Sequence, residues 1–159
     1  MPFDPLKQVP VGGSGLAVTR LGFGSASIAG LYTPVAEADA FAMIEHAWAT
    51  GVRYFDTAPQ YGFGQAEQRL GTILRQHPRD SYVLSTKVGR LLRPATTEQL
   101  AEPSIFHGVP DDRPVWDFSR DGVRRSRACG RSGGARRRCG PRSRSNRRRR
   151  APRTSWLSG

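Results

Sequence analysis

The stretch "RYFDTAPQYGFGQAEQRLG", Arg53 to Gly71, decides how the chain is read. Tyr54 and Phe55 are apolar strand formers, yet an acid, Asp56, follows at once. Tyr61 then appears five residues later, among glycines. A strand can end in a turn without a charged group, so Asp56 belongs on the surface unless another group needs it. Beyond the glycines, Ala66, Leu70, Ile73 and Leu74 recur at helical spacing. The stretch therefore reads as a strand, a glycine-rich turn and an amphipathic helix.

The flanking sequence repeats this alternation. Upstream, "VPVGGSGLAVTRLGFGS" predicts a hairpin turning at Gly12-Gly13 and then a strand at Leu21–Ser25. In "TPVAEADAFAMIEHAWATG", Thr33 is placed to cap a helix with Pro34 at its first position, and Glu37 and Asp39 suit the positive end of its dipole. Phe41, Ile44, Ala47 and Trp48 keep the helical period, and Gly51 closes the segment. Downstream, "SYVLSTKVG" predicts a third strand ending at Gly89. Strands alternating with helices imply right-handed βαβ units and a parallel sheet. From Gly89 to Val123 no period is evident, and the sequence predicts an irregular excursion with one short extended piece near Pro114–Phe118.

Charge divides the chain in two. Its net charge is +12, but residues 1–119 hold ten Lys/Arg against twelve Asp/Glu, while residues 120–159 hold fifteen Arg and a single acid, Asp121. From Arg124 to Ser155 there is no Val, Ile, Leu, Met, Phe, Tyr or Trp. Such a segment cannot bury enough apolar surface to offset the entropy of ordering it. The expected organisation is a folded unit over 1–119 and a disordered Arg-rich tail over 120–159. No apolar run approaches the roughly 18 residues of a membrane span. The N-terminus lacks the basic and apolar regions of a secretory signal, so a cytoplasmic protein is expected. Cys129 and Cys139 have neither CxxC spacing nor a nearby histidine, which argues against a metal site.

Functional groups of a parallel α/β sheet collect at the carboxyl ends of its strands. Asp56 ends the second parallel strand, Lys87 nearly ends the third, and Tyr61 sits in the loop above that rim. Neighbouring strands lie about 4.8 Å apart, so the three side chains can form one cluster. A lysine cation beside a phenol favours the phenolate, and a carboxylate can hold the lysine in place. That combination hands a proton to or from a carbonyl or alcohol oxygen. Each residue has an ordinary explanation. An aspartate at a strand end forms turns or caps helices, and a tyrosine can simply cover a core. Lys87 resists such a reading, because a charge within an apolar strand needs a partner. "GFGSAS" and "GFGQAE" do not complete a GxGxxG phosphate loop. His46, His77 and His107 read as structural or solvated.

"LGFGS", "GVRYFDTAPQYGFGQAEQRLG" and "LSTKVGR" together resemble the opening third of an aldo-keto reductase, in the branch of aldose and pyridoxal dehydrogenases. The resemblance covers about residues 9–126. It implies the N-terminal hairpin and first three strands of a (β/α)8 TIM barrel, with NADP or NAD as cofactor. It also implies hydride transfer to or from a carbonyl or sugar substrate. By its motif, Tyr61 is the general acid/base, Lys87 tunes it and Asp56 orients Lys87. Gly24 and Ser25 lie near the cofactor, and residues 26–32 with Trp116 line the substrate pocket. The family's fourth catalytic group, a histidine after the fourth strand, has no counterpart here, nor do most of its phosphate contacts. The chain as written is expected to be truncated and inactive.

Two readings of the Arg-rich segment remain. As an arm it would bind nucleic acid non-specifically and with strong salt dependence, with only Trp156 for stacking. The other reading is a reading-frame error or a degraded gene: CGN arginine codons read one base later encode Ala, Val, Gly, Asp or Glu. The sequence favours the frame change, since the switch falls just after "DGVRRS". A non-functional fragment, prone to aggregate through its unpaired third strand, is the remaining alternative.

Overall fold

The structure is a computed structural model that describes residues 3–131. Residues 132–159, including Cys139 and most of the arginines read as a tail, lie outside the described residues. An N-terminal hairpin pairs β1 (Gln8–Pro10) with β2 (Ala17–Thr19), antiparallel, with Val9 opposite Val18. Its turn lies where the glycines predicted it, and Gly12 takes a φ of +51° that a side chain would resist.

Three strands then make the parallel sheet: β3 (Phe23–Gly24), β4 (Tyr54–Asp56) and β5 (Val83–Ser85), in that spatial order. They alternate with α1 (Glu37–Ala49) and α2 (Gln65–Leu74). The register sets Gly24 beside Asp56, and Asp56 beside Ser85. Each strand is shorter than expected, although Ser25 still donates its N–H to the Asp56 carbonyl at 3.0 Å. α1 also starts late. Thr33 and Pro34 lie in the approach to it, and the capping position falls to Ala36, which makes no side-chain cap. Glu37 and Asp39 occupy the first turn as predicted.

Side chains of a strand alternate between faces, and here the two faces differ in kind. Phe55, fully buried, packs with Ile28, Ile44, Val52, Leu70, Ile73, Leu74 and Tyr82 under the two helices. Leu84 and Phe23 join the edge of this cluster. Tyr54, Asp56 and Ser85 consequently point to the opposite face of the sheet. Burying a large side chain such as Phe55 stabilises the fold by roughly 1.5–3 kcal/mol. The core therefore fixes which face the polar residues take.

The segment after Gly89 corrects the sequence reading. It is not irregular: β6 (Arg90–Pro94) and β7 (Asp112–Trp116) form a five-pair antiparallel hairpin, and α3 (Thr97–Ala101) opens with a Thr96–Gln99 capping box. Leu31 bridges Phe106, tying the long hairpin loop to the turn after β3. α4 runs from Arg120 to Arg131, so the first part of the segment expected to be a disordered tail is helical. Ser126, only 4% exposed, accepts a hydrogen bond from the Gly89 N–H and donates to the Gly122 carbonyl. That contact docks α4 against the root of the hairpin. No described helix is long and apolar enough to cross a membrane.

Candidate functional site

At the carboxyl rim of the parallel sheet, Asp56 ends β4 and Lys87 follows β5 by two residues. Lys87 Nζ lies 2.8 Å from Asp56 Oδ2 and 3.3 Å from the Thr57 carbonyl oxygen. An ammonium has three hydrogens. With two directed at oxygen, its remaining side faces the Tyr61 ring, whose centroid is 5.0 Å from Nζ. Aspartate, lysine and tyrosine are thus brought together, as the sequence predicted.

Tyr61 is set by the turn that carries it. Its N–H bonds to the Ala58 carbonyl and its own carbonyl accepts from Ala66 at the start of α2. Gly62, Phe63 and Gly64 all take positive φ, and a Cβ on Gly62 would lie 2.7 Å from the Ala29 oxygen. The glycine there is needed for the turn to sit against the β3–α1 connection. Tyr61 packs at the edge of a small cluster of Ala29, Ala66 and Phe106.

The charges follow from these contacts. Burial pushes the Asp56 carboxyl up, but hydrogen bonds from Lys87 and Ser85 and the lysine's charge outweigh it and hold the group below its ordinary value. Burial pushes the Lys87 ammonium down, but bonds to Asp56 and Tyr61 leave it above its ordinary value. Lys87 therefore stays cationic beside the phenol. Nearby, Glu67 of α2 accepts from Thr86 Oγ1 at 2.7 Å, and burial raises its carboxyl despite that bond.

Gly24 and Ser25 lie at the same rim. A Cβ on Gly24 would meet nothing within 4 Å, so the backbone there is open to a ligand. Ser25 is fully buried, yet neither its Oγ nor the Oγ1 of buried Thr57 has a partner among the described residues. These two buried hydroxyls thus lie beside an open stretch of backbone at the rim that carries the carboxylate–lysine pair. The segment expected to line a substrate pocket is divided: Ile28 and Ala29 are core residues, whereas Tyr32 and Trp116 are 71% and 60% exposed.

Sequence reading missed two residues at this site, Tyr54 and Ser85. Ser85 Oγ donates to Asp56 Oδ1 at 2.6 Å, and Tyr54 Oη lies 3.1 Å from Ser85 Oγ. The signal was present as two-residue spacing, Tyr54-x-Asp56 within one strand and Ser85-x-Lys87 running off the end of its neighbour. The histidines stay away from the cluster. His77 stacks on Trp48 at 3.7 Å between ring centres, His46 lines an outer groove, and the His107 N–H binds the Gly30 carbonyl. Among the described residues, no cluster of metal ligands is present.

A parallel α/β arc carrying this rim defines the class, and comparison with known proteins agrees: the model of the Aldo/keto reductase family matches residues 20–126. The chain belongs to that family. It is 47% identical over 119 residues to a D-threo-aldose 1-dehydrogenase of a Pseudomonas species, and 48% identical over 124 residues to a pyridoxal 4-dehydrogenase of Microbacterium luteolum. These matches cover 72% and 73% of this chain but only 36% of each relative, so the chain spans about a third of their length. An aldo-keto reductase from Bacillus halodurans, solved in its holo form, superposes with a TM-score of 0.60 at 26% identity, over 79% of this chain and 35% of that one. The fold is accordingly part of a TIM barrel.

Proposed function

We propose that the rim is the proton-transfer half of a nicotinamide-dependent oxidoreductase site, working on an aldehyde, an aldose or the corresponding alcohol. The observation that carries this reading is the Lys87 ammonium held between Asp56 and the Tyr61 ring. In the reducing direction, Tyr61 Oη gives its proton to the carbonyl oxygen while the carbonyl carbon gains a hydride. Lys87 stabilises the phenolate left behind, and Asp56 keeps Lys87 in place. In the oxidising direction, the phenolate takes the alcohol proton. NAD or NADP, when bound, supplies or accepts the hydride, with Gly24 and Ser25 beside it.

Similarity to an aldose and a pyridoxal dehydrogenase favours small polar aldehydes or sugars as substrates. None of the chain's three histidines joins the described cluster. Residues 1–159 alone are therefore expected to transfer hydride at background rate.

The test is a chimera in which residues 1–126 replace the matching part of the Pseudomonas aldose dehydrogenase. It should oxidise aldoses, followed by nicotinamide absorbance, and Tyr61→Phe should cost roughly 10²–10⁴ in kcat. A folded chimera whose Tyr61→Phe form is equally active would sink the reading. Nucleic-acid binding through the Arg-rich segment is a second reading, resting on charge alone. Retention on DNA that is insensitive to salt, or that survives deletion of 120–159, would count against it.

A further inference from the structure

We propose that Tyr54 and Ser85 are positioning residues: a polarised hydrogen-bond chain, Tyr54 Oη to Ser85 Oγ to Asp56 Oδ1, locks the carboxylate so that its other oxygen holds Lys87. The direction of the chain follows from counting hydrogens. An ionised carboxylate only accepts, and a serine hydroxyl has one hydrogen to give. Ser85 spends that hydrogen on Asp56 at 2.6 Å, so at the 3.1 Å contact Tyr54 must be the donor. Each carboxylate oxygen then has its own partner: Oδ1 takes Ser85, and Oδ2 takes Lys87 at 2.8 Å.

The fold places the chain without help from loops. Asp56 and Ser85 are register partners across a parallel pair, and Tyr54 sits two residues before Asp56 on the same face. All three lie on regular strands anchored from behind by Phe55 and Leu84. The Tyr54 ring rests in a space left by Gly22, where a Cβ would lie 2.7 Å from Tyr54 Cδ1. Such an arrangement matters because the Asp56–Lys87 pair is open to water, with side chains 36% and 53% exposed. An exposed ion pair alone holds its geometry weakly. Two further hydrogen bonds from rigid strands supply the fixity that the ion pair lacks. Lys87 is the only ion-pair partner of Asp56 among the described residues. The importance of this chain for catalysis rests on the oxidoreductase reading, whereas its geometry does not.

The experiment is a carboxyl-carbon NMR titration of Asp56 in the 159-residue chain, with near-ultraviolet circular dichroism reporting on the fold. Ser85→Ala should raise the Asp56 midpoint by roughly one to two units, the effect of losing one bond to a charged group. Ser85→Thr, which keeps the hydroxyl, should restore it. Tyr54→Phe should move it the same way by less, and Gly22→Ala should imitate Tyr54→Phe by displacing the ring. A folded Ser85→Ala chain with an unmoved midpoint, or one that Ser85→Thr fails to restore, overturns the proposal. In the chimera, Ser85→Ala should lower kcat with little change in KM. If Tyr61→Phe leaves the chimera active while Ser85→Ala still shifts the titration, the oxidoreductase reading fails and the positioning chain stands.

Discussion

Asp56 and Lys87 shift in opposite directions from their ordinary values, and each shift has its own consequence for stability. The folded Asp56 carboxyl ionises more readily than the unfolded one. Its contribution is complete above the ordinary carboxylate range and is lost as pH falls through the folded value. The raised Lys87 contributes fully below the ordinary lysine value and loses its contribution as pH rises through the folded one. Because both groups are well exposed, the pair governs geometry more than stability. Lys87→Met separates the two opposing influences on Asp56. Burial, which pushes the carboxyl up, remains, while the lysine's bond and charge are gone. The Asp56 midpoint should therefore rise in an NMR titration, with thermal stability at neutral pH changing by less than about 1 kcal/mol. An unmoved midpoint would mean that the 2.8 Å contact is not populated in solution. At this scale much of the site was legible. Asp56, Tyr61 and Lys87 stand out because charge and phenol break an apolar context. Tyr54 and Ser85 did not stand out, because a tyrosine and a serine in strands look ordinary until the strand register sets them side by side.

Elements were legible where hydrophobic period carried them and illegible where long-range pairing did. α2 announces itself through Ala66, Leu70, Ile73 and Leu74, all of which are buried. The β6–β7 hairpin does not, since "RLLRP" and "DRPVW" mix arginines and prolines with few apolar residues and are joined by a long connection. A strand containing Pro114 is normally demoted. Here it pairs with β6 alone, and Pro114 lies opposite Leu92. What holds the hairpin down is its root at Gly89. That residue has a φ of +91°, its carbonyl accepts from the Asp117 N–H at 2.9 Å, and its N–H reaches Ser126. The Phe118 ring lies directly where a Gly89 Cβ would go. Gly89→Ala should thus combine backbone strain with displacement of Phe118, costing about 1–3 kcal/mol. Trp116, stacked on Phe118 with 5.6 Å between ring centres, gives the readout. Its fluorescence should change together with the fall in melting temperature. A variant that melts like the parent with unaltered fluorescence would show that the hairpin does not depend on this root.

For the molecule as a whole, the arc formed by the described residues is open. Among the described residues, β3 has β4 as its only neighbour in the sheet, and β5 likewise. Beside β3 a groove of about 560 Å³ is lined by Leu21, Phe23, Met43, Ala47 and Val52. Leu21 and Met43 are 52% and 42% exposed there, an apolar surface that a parallel sheet normally covers. The sequence accounts for this as directly as for the helices, because Val, Ile, Leu, Met and the aromatic residues cease at Val123 and do not return before Trp156. The family match ceases at the same place, at residue 126, although α4 continues to Arg131. An arginine-rich frame taking over within a helix that the rest of the fold has already docked is what a single-base slip would leave. The intact mass of the protein isolated from its natural source decides the matter. With the frame corrected, it should far exceed 17.5 kDa and approach that of a barrel of about 250 residues or more. Its added segments should cover Leu21 and Met43, which would then resist oxidative surface labelling at Met43. A natural product of 17.5 kDa would instead establish that the arginines are translated. The rim would then be a catalytic remnant, and salt-dependent DNA binding would be the activity left to test.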